Sequence, residues 1–190
     1  MAASTATYSR FRPHRWALGG VILINLMVEA ALQGADRGVW GGTLWRGIAY
    51  QYGGFWTGLL RDWAPNYSLQ PELMFLTYSL LHAGTIHLLG NMLSLAILGD
   101  LVLARVGKCG FLRLYGLASI GAALGFGVLS RSHAPMIGAS GAIFGLIGAL
   151  VLWDEQDRRT KLGGLDRVLA AVRHQRAAHE DERRQAVEQA

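Results

Sequence analysis

The chain has 190 residues, 52% hydrophobic and 16% charged, with a formal net charge of +5 and a mean hydropathy of +0.26. Its charges gather at the N-terminus, in short loops and in the tail, and the long uncharged runs between them read as a multi-pass membrane protein rather than a soluble domain. The basic excess is not interleaved with aromatics, which argues against a nucleic-acid surface, and the single Cys109 cannot form an internal disulfide.

Residues 1–15 are polar and basic and form an expected cytoplasmic segment. The apolar run that follows predicts a first, retained membrane helix over 16–32, although it carries Asn25 and Glu29. Residues 34–85 are rich in glycine and aromatics, neither uniformly apolar nor polar, and read as a long loop partly embedded in the interface. The end of that segment, 72–81, predicts a short helix. Three further spans are expected over 86–106, 111–129 and 140–153. The last is short: fourteen residues reach roughly 21 Å against a hydrocarbon core of about 30 Å. The loop before it, 131–139, must then dip into the membrane, where irregular backbone survives only beside protein or water. Residues 154–190 form a charged, helical cytoplasmic tail. Its first half spaces Leu165, Val168, Leu169 and Val172 as one apolar face, suited to a membrane surface or a partner.

Orientation follows from Lys and Arg. With the N-terminus inside, the N-terminal segment, the loop between spans two and three and the tail hold all of the 18 except Arg37, Arg46, Arg61 and Arg131. Both termini are therefore expected in the cytoplasm.

Two groups of residues stand out chemically. Gly138-Ala139-Ser140-Gly141 places a hydroxyl at a helix N-terminus, where free N–H groups favour negative charge and glycines admit a substrate backbone. The same glycines also fit helix packing, since Gly141 and Gly145, like Gly121 and Gly125, are four residues apart. His87 and Asn91, one helical turn apart on span two, share a face and are costly in a membrane unless they face a cavity or bundle interior. They are either a polar clamp between helices or a donor pair for developing negative charge. His82, just before that helix, reads as an interfacial or loop-ordering residue.

Together, His82, the His87-x-x-x-Asn91 pair and the Gly138-Ala139-Ser140-Gly141 stretch resemble the rhomboid family of intramembrane serine proteases, as does the Trp45-Arg46 pair in the long loop. The resemblance covers about residues 40–153 and is similar to bacterial rhomboids over the loop leading to His82. It implies an all-α, rhomboid-like helical bundle in a bacterial inner membrane, with about four spans present. It also implies that Ser140 is the nucleophile and that His87, Asn91 and the Ser140 N–H form the oxyanion site. Gly138 gives room in the loop, and His82, Trp45, Arg46 and Gly141 support the site. The reaction implied is hydrolysis of a peptide bond in or near a transmembrane helix, with transmembrane proteins and the bilayer as partners and no metal or organic cofactor.

The family takes its proton acceptor from a histidine in its last core helix, and no apolar run long enough to carry it follows Trp153. His174 and His179 are expected on the opposite side of the membrane, and His133 would need a sharp chain reversal to reach Ser140. The membrane domain over 16–153 is accordingly read as truncated, with weak activity. The alternatives are a non-catalytic membrane binding protein and a truncated gene product.

Overall fold

The structure is a computed structural model that describes residues 15–188; the N-terminal segment lies outside the described residues but for Arg15. Among them it is helical, apart from one isolated antiparallel bridge between Phe55 and Met136. The helices are α1 (Trp16–Asp36), α2 (Trp45–Gly53), α3 (Gln70–Thr77), α4 (Thr85–Leu129) and α5 (Ser140–Glu188). The chain divides into two compact units between Gly148 and Ala149.

Two of the described helices, α1 and α4, are long and apolar enough to cross a membrane. In α1 only 33% of the most apolar window is buried, and in α4 39%. The core helix of a soluble protein would hide most of that surface, whereas Leu23, Ile24 and Met27 of α1 and Leu89, Leu93 and Ile97 of α4 stay exposed. The buried face of α1 instead runs through Leu18, Asn25, Glu29 and Leu32, the helical spacing of a packed stripe.

A straight helix as long as α4 would be about 68 Å. The break falls at Gly107, whose φ of 70° and ψ of −179° leave the helical region in a way that favours glycine. The halves on either side, 85–106 and 108–129, are each roughly 33 Å long, close to one bilayer crossing of about 30 Å. They also double back on each other. A methyl group added at Gly99 would lie 2.7 Å from Leu18 Cδ1 and 3.2 Å from Phe111 Cε2, so α1 and both halves of α4 meet there.

The loop over 34–85 contains more order than its composition predicts. None of the residues of α2 is fully buried, and its apolar stripe of Trp45, Ile48 and Tyr52 is exposed. The helix expected over 72–81 starts two residues earlier, with Pro71 in its first turn, and tightens to a 3-10 turn over Tyr78–Leu80. Indole rings cover glycine backbone three times: Trp40 lies on Gly34, Trp45 on Gly41 and Trp63 on Gly58. Phe55, Met74, Tyr78 and Ala123 form a buried core that ties this loop to the second half of α4.

The start of α5 packs on the second half of α4 through its small residues. A methyl group at Gly141 would sit 2.6 Å from Ala122 Cβ, and one at Gly145 would sit 2.3 Å from Ala118 Cβ. The packing reading of that glycine pair is therefore realised, whereas side chains at Gly121 and Gly125 would meet nothing within 4 Å. In the second unit, Glu155 binds Arg158 and, at 2.6 Å, Arg159. Leu165 and Leu169 are exposed there, and the side chains of Val168, Val172, His174 and His179 lie outside what is described.

Candidate active site

Ser140 is the first residue of α5, and the chain enters it through Gly138 at φ +111°. That left-handed backbone strains any side chain, and a methyl group there would lie 2.8 Å from His87 Cε1 and 3.0 Å from its Nε2. Glycine is thus required twice at one position, for conformation and for the approach of the imidazole.

The backbone leading to Ser140 is held by groups from the long loop. Phe55 and Met136 exchange N–H···O bonds of 3.0 Å in both directions, and the Gly138 N–H donates to the Tyr78 carbonyl at 2.9 Å. The Ala139 N–H makes a long contact of 3.5 Å with His82 Nε2. Tyr78 is itself fully buried and donates its hydroxyl to the Ser119 carbonyl at 2.9 Å; that burial pushes the phenol up, so it stays protonated and a donor.

His82 is completely buried. Since Nε2 faces an N–H donor, the ring is neutral with its proton on Nδ1, which has no partner of good geometry. The Leu80 carbonyl is the backbone acceptor acting on the ring. Burial, and then the neighbouring His87 at 5.2 Å between ring centres, lower His82 to about 4.

His87 has the opposite tautomer. The Ala83 N–H donates to its Nδ1 at 3.3 Å, which leaves the proton on Nε2, and the Cε1–Nε2 edge of the ring lies beside Gly138. Asn91 donates from Nδ2 to the His87 carbonyl at 3.0 Å, and the same nitrogen would be 3.7 Å from a methyl at Gly138. His87, Asn91 and Ser140 line one cavity of about 400 Å³ between the first half of α4 and the start of α5, walled by Ile86, Phe144 and Ile147. The Ser140 hydroxyl forms no hydrogen bond with another described residue, and His133 is exposed and not among the lining residues.

Arg46 and Trp45 stand outside this cavity. Trp45 covers Gly41 and is 46% exposed, a role in shaping the loop. Arg46 is a hub: its guanidinium holds Glu29 through two bonds of 2.9 and 3.1 Å, Asp36 at 2.7 Å and the His82 carbonyl at 2.9 Å. Glu29 and its other partners keep the Arg46 charge, raising its affinity for the proton against the cost of burial. Tyr50 joins at the same carbonyl, donating at 2.7 Å. The backbone of His82 is thereby tied to α1 and α2 while its ring faces Ala139. Glu29, Tyr50, Tyr78 and the Phe55–Met136 bridge are site-supporting features that the motifs did not identify. Only the buried carboxylate had a signal in sequence, as an acid inside an apolar run.

Comparison with known proteins places the chain among relatives but does not reach the individual residues of the site. RHOMBOID-like protein 1 of Arabidopsis thaliana is 39% identical over 71 residues, which are 37% of this chain and 18% of the length of that relative. No solved structure matches the chain. The family model of the Rhomboid domain matches residues 71–172, taking in His82, His87, Asn91 and Ser140 and reaching into the charged tail, while Trp45 and Arg46 precede it. With more than half of its length matched in this way, the chain belongs to the rhomboid family.

Proposed function

We propose that the cavity at Ser140 is a serine-endopeptidase site acting on peptide bonds in or next to transmembrane helices, within a multi-pass protein of about four spans whose termini are both cytoplasmic, in a bacterial inner membrane. The observation that supports this reading is that His87, Asn91 and Ser140 line one cavity, with the Cε1–Nε2 edge of the imidazole beside Gly138 and its Nδ1 held by the Ala83 N–H. In this reading Ser140 Oγ forms a bond to the substrate carbonyl carbon. The negative charge moves onto the carbonyl oxygen, where His87 Nε2–H, Asn91 Nδ2 and the Ser140 N–H receive it. The C–N bond then breaks, the amine takes up the proton, and water releases the acyl group from Ser140.

The hydroxyl proton needs an acceptor during attack. Both imidazoles near the site already spend their acceptor nitrogen, His87 on Ala83 N–H and His82 on Ala139 N–H. Neither imidazole is thus free to take that proton in this arrangement, and we expect turnover near the residual level that oxyanion stabilisation alone supports. The second reading, a protein that engages transmembrane helices without cutting them, rests on the same observation.

The test is cleavage of a transmembrane substrate in proteoliposomes, beside Ser140→Ala, with and without added imidazole as a diffusible acceptor. We expect little cleavage without imidazole and cleavage that depends on Ser140 with it. Strong turnover without imidazole that Ser140→Ala abolishes would refute the assignment of His87 as a donor. No Ser140-dependent turnover under either condition, with crosslinking to substrate helices retained, would establish the non-cutting reading.

A further inference from the structure

A second cavity, of about 510 Å³ and larger than the one at Ser140, lies within the long loop, lined among others by Gly47, Tyr50, Trp56, Trp63, Gln70 and Pro135. None of its lining residues is charged, which favours a neutral ligand over a phosphate, a nucleotide or an acid. Its polar side chains satisfy one another. Gln70, fully buried, donates to the Gln51 carbonyl at 2.7 Å and accepts from the Asn66 N–H at 2.7 Å and the Asn66 amide at 3.0 Å. Trp56 donates its indole N–H to the Tyr50 carbonyl at 2.9 Å. The Trp63 indole N–H takes no partner among the described residues, and that ring is 45% exposed.

We infer that this cavity binds the acyl chain of a membrane glycerolipid, with the Trp63 N–H available to an ester carbonyl at the head of the chain. A saturated polar floor under aromatic and aliphatic walls suits a neutral, elongated apolar ligand of the size such cavities hold, about 300–1,000 Å³. The surroundings select lipid as the source. Leu69, Leu73 and Leu76, on or beside α3, and Leu60 in the same loop are exposed apolar groups, in a family member whose neighbouring helices are apolar on their outer faces. Such groups beside membrane helices lie against hydrocarbon, and tryptophan favours the headgroup boundary where the ester sits. Pro135 gives the site a consequence, because it directly precedes the Met136 that pairs with Phe55 on the way to Ser140.

The experiment uses the full chain in phosphatidylcholine vesicles containing a phosphatidylcholine with a photoactivatable diazirine in one acyl chain, with labelled residues located by mass spectrometry. Gly47→Phe fills the cavity from α2, where a new Cβ meets nothing within 4 Å; Ala64→Leu is a second filler should the first fail to fold. The expected result is labelling within residues 47–70 that falls at least fivefold in the filled variant, while labelling of the Leu89, Leu93 and Ile97 stripe is unchanged. Labelling confined to the outer faces of α1 and α4, or labelling of 47–70 that a folded filler leaves intact, overturns the inference.

Discussion

Removing the Arg46 guanidinium perturbs a well-defined set of contacts. Glu29 is only 2% exposed and Arg46 17%, and the two are joined by a bidentate pair, with Asp36 and the His82 carbonyl on the same guanidinium. In Arg46→Met the carboxylate stays buried with only the amide of Gln33, at 2.8 Å, as a side-chain donor. Breaking one side of a buried pair costs about 3–5 kcal/mol, because the remaining charge is neither hydrated nor paired. For a protein of this size, 1 kcal/mol moves the unfolding midpoint by about 2–4 °C, so the variant should melt roughly 6–20 °C lower. Thermal unfolding of the purified protein in detergent, followed by circular dichroism, measures this. The companion double variant, Glu29→Gln with Arg46→Met, removes the stranded charge and should recover at least about half of the loss, a coupling on the order of 2 kcal/mol. A shift below about 3 °C in Arg46→Met, or strictly additive losses in the double variant, would refute the claim that this pair is a buried tie.

Two further outcomes follow from the site. Folding holds His82 at about 4, below the ordinary 6.5, so the unfolded chain binds its proton first as the pH drops. Stability from this group is complete above about pH 6.5, falls through the window down to about 4, and is lower by about 2 kcal/mol at pH 5; urea unfolding from pH 7.5 to 4.5 checks this, and a His82→Gln variant with an unchanged pH slope would contradict it. Gly138→Ala imposes a side chain at φ +111° and pushes against His87, so a loss of about 1–3 kcal/mol is expected together with a changed imidazole nitrogen resonance of His87; a variant that melts with the wild type and keeps that resonance counts against the contact.

How much of this was legible in sequence depends on which residues interact locally. The start of α5 at Ser140, the shared turn of His87 and Asn91 and the break of α4 into two halves near Gly107 all follow from hydropathy and spacing over a few residues. The Gly141–Gly145 pair was legible as packing, but its partners Ala122 and Ala118 were not, since alanine carries no signal of which helix will approach it. Arg46 was legible through resemblance, while its tie to Glu29 was not, because the two are 17 residues apart in elements whose relative placement no periodicity encodes. The helix α2 escaped for a different reason: Trp45, Ile48 and Tyr52 on it are exposed while Arg46 and Tyr50 are half-buried, so burial there does not follow hydropathy.

The irregular chain before Ser140 explains why so much of the long loop is ordered. A backbone group that water cannot reach costs several kcal/mol if it is left unpaired. Among the four residues before the helix, the N–H groups of Met136, Gly138 and Ala139 each have an acceptor outside their own segment: Phe55 for Met136, Tyr78 for Gly138 and His82 for Ala139. Those three acceptors come from the segment between α2 and α4, and Arg46 and Tyr50 fix the His82 end of it to α1 and α2. The aromatic loop is thus the structural partner of the chain that leads into α5 at Ser140. The hydroxyl sits at the head of a helix because the loop, rather than solvent, completes the hydrogen bonds of the chain that leads to it.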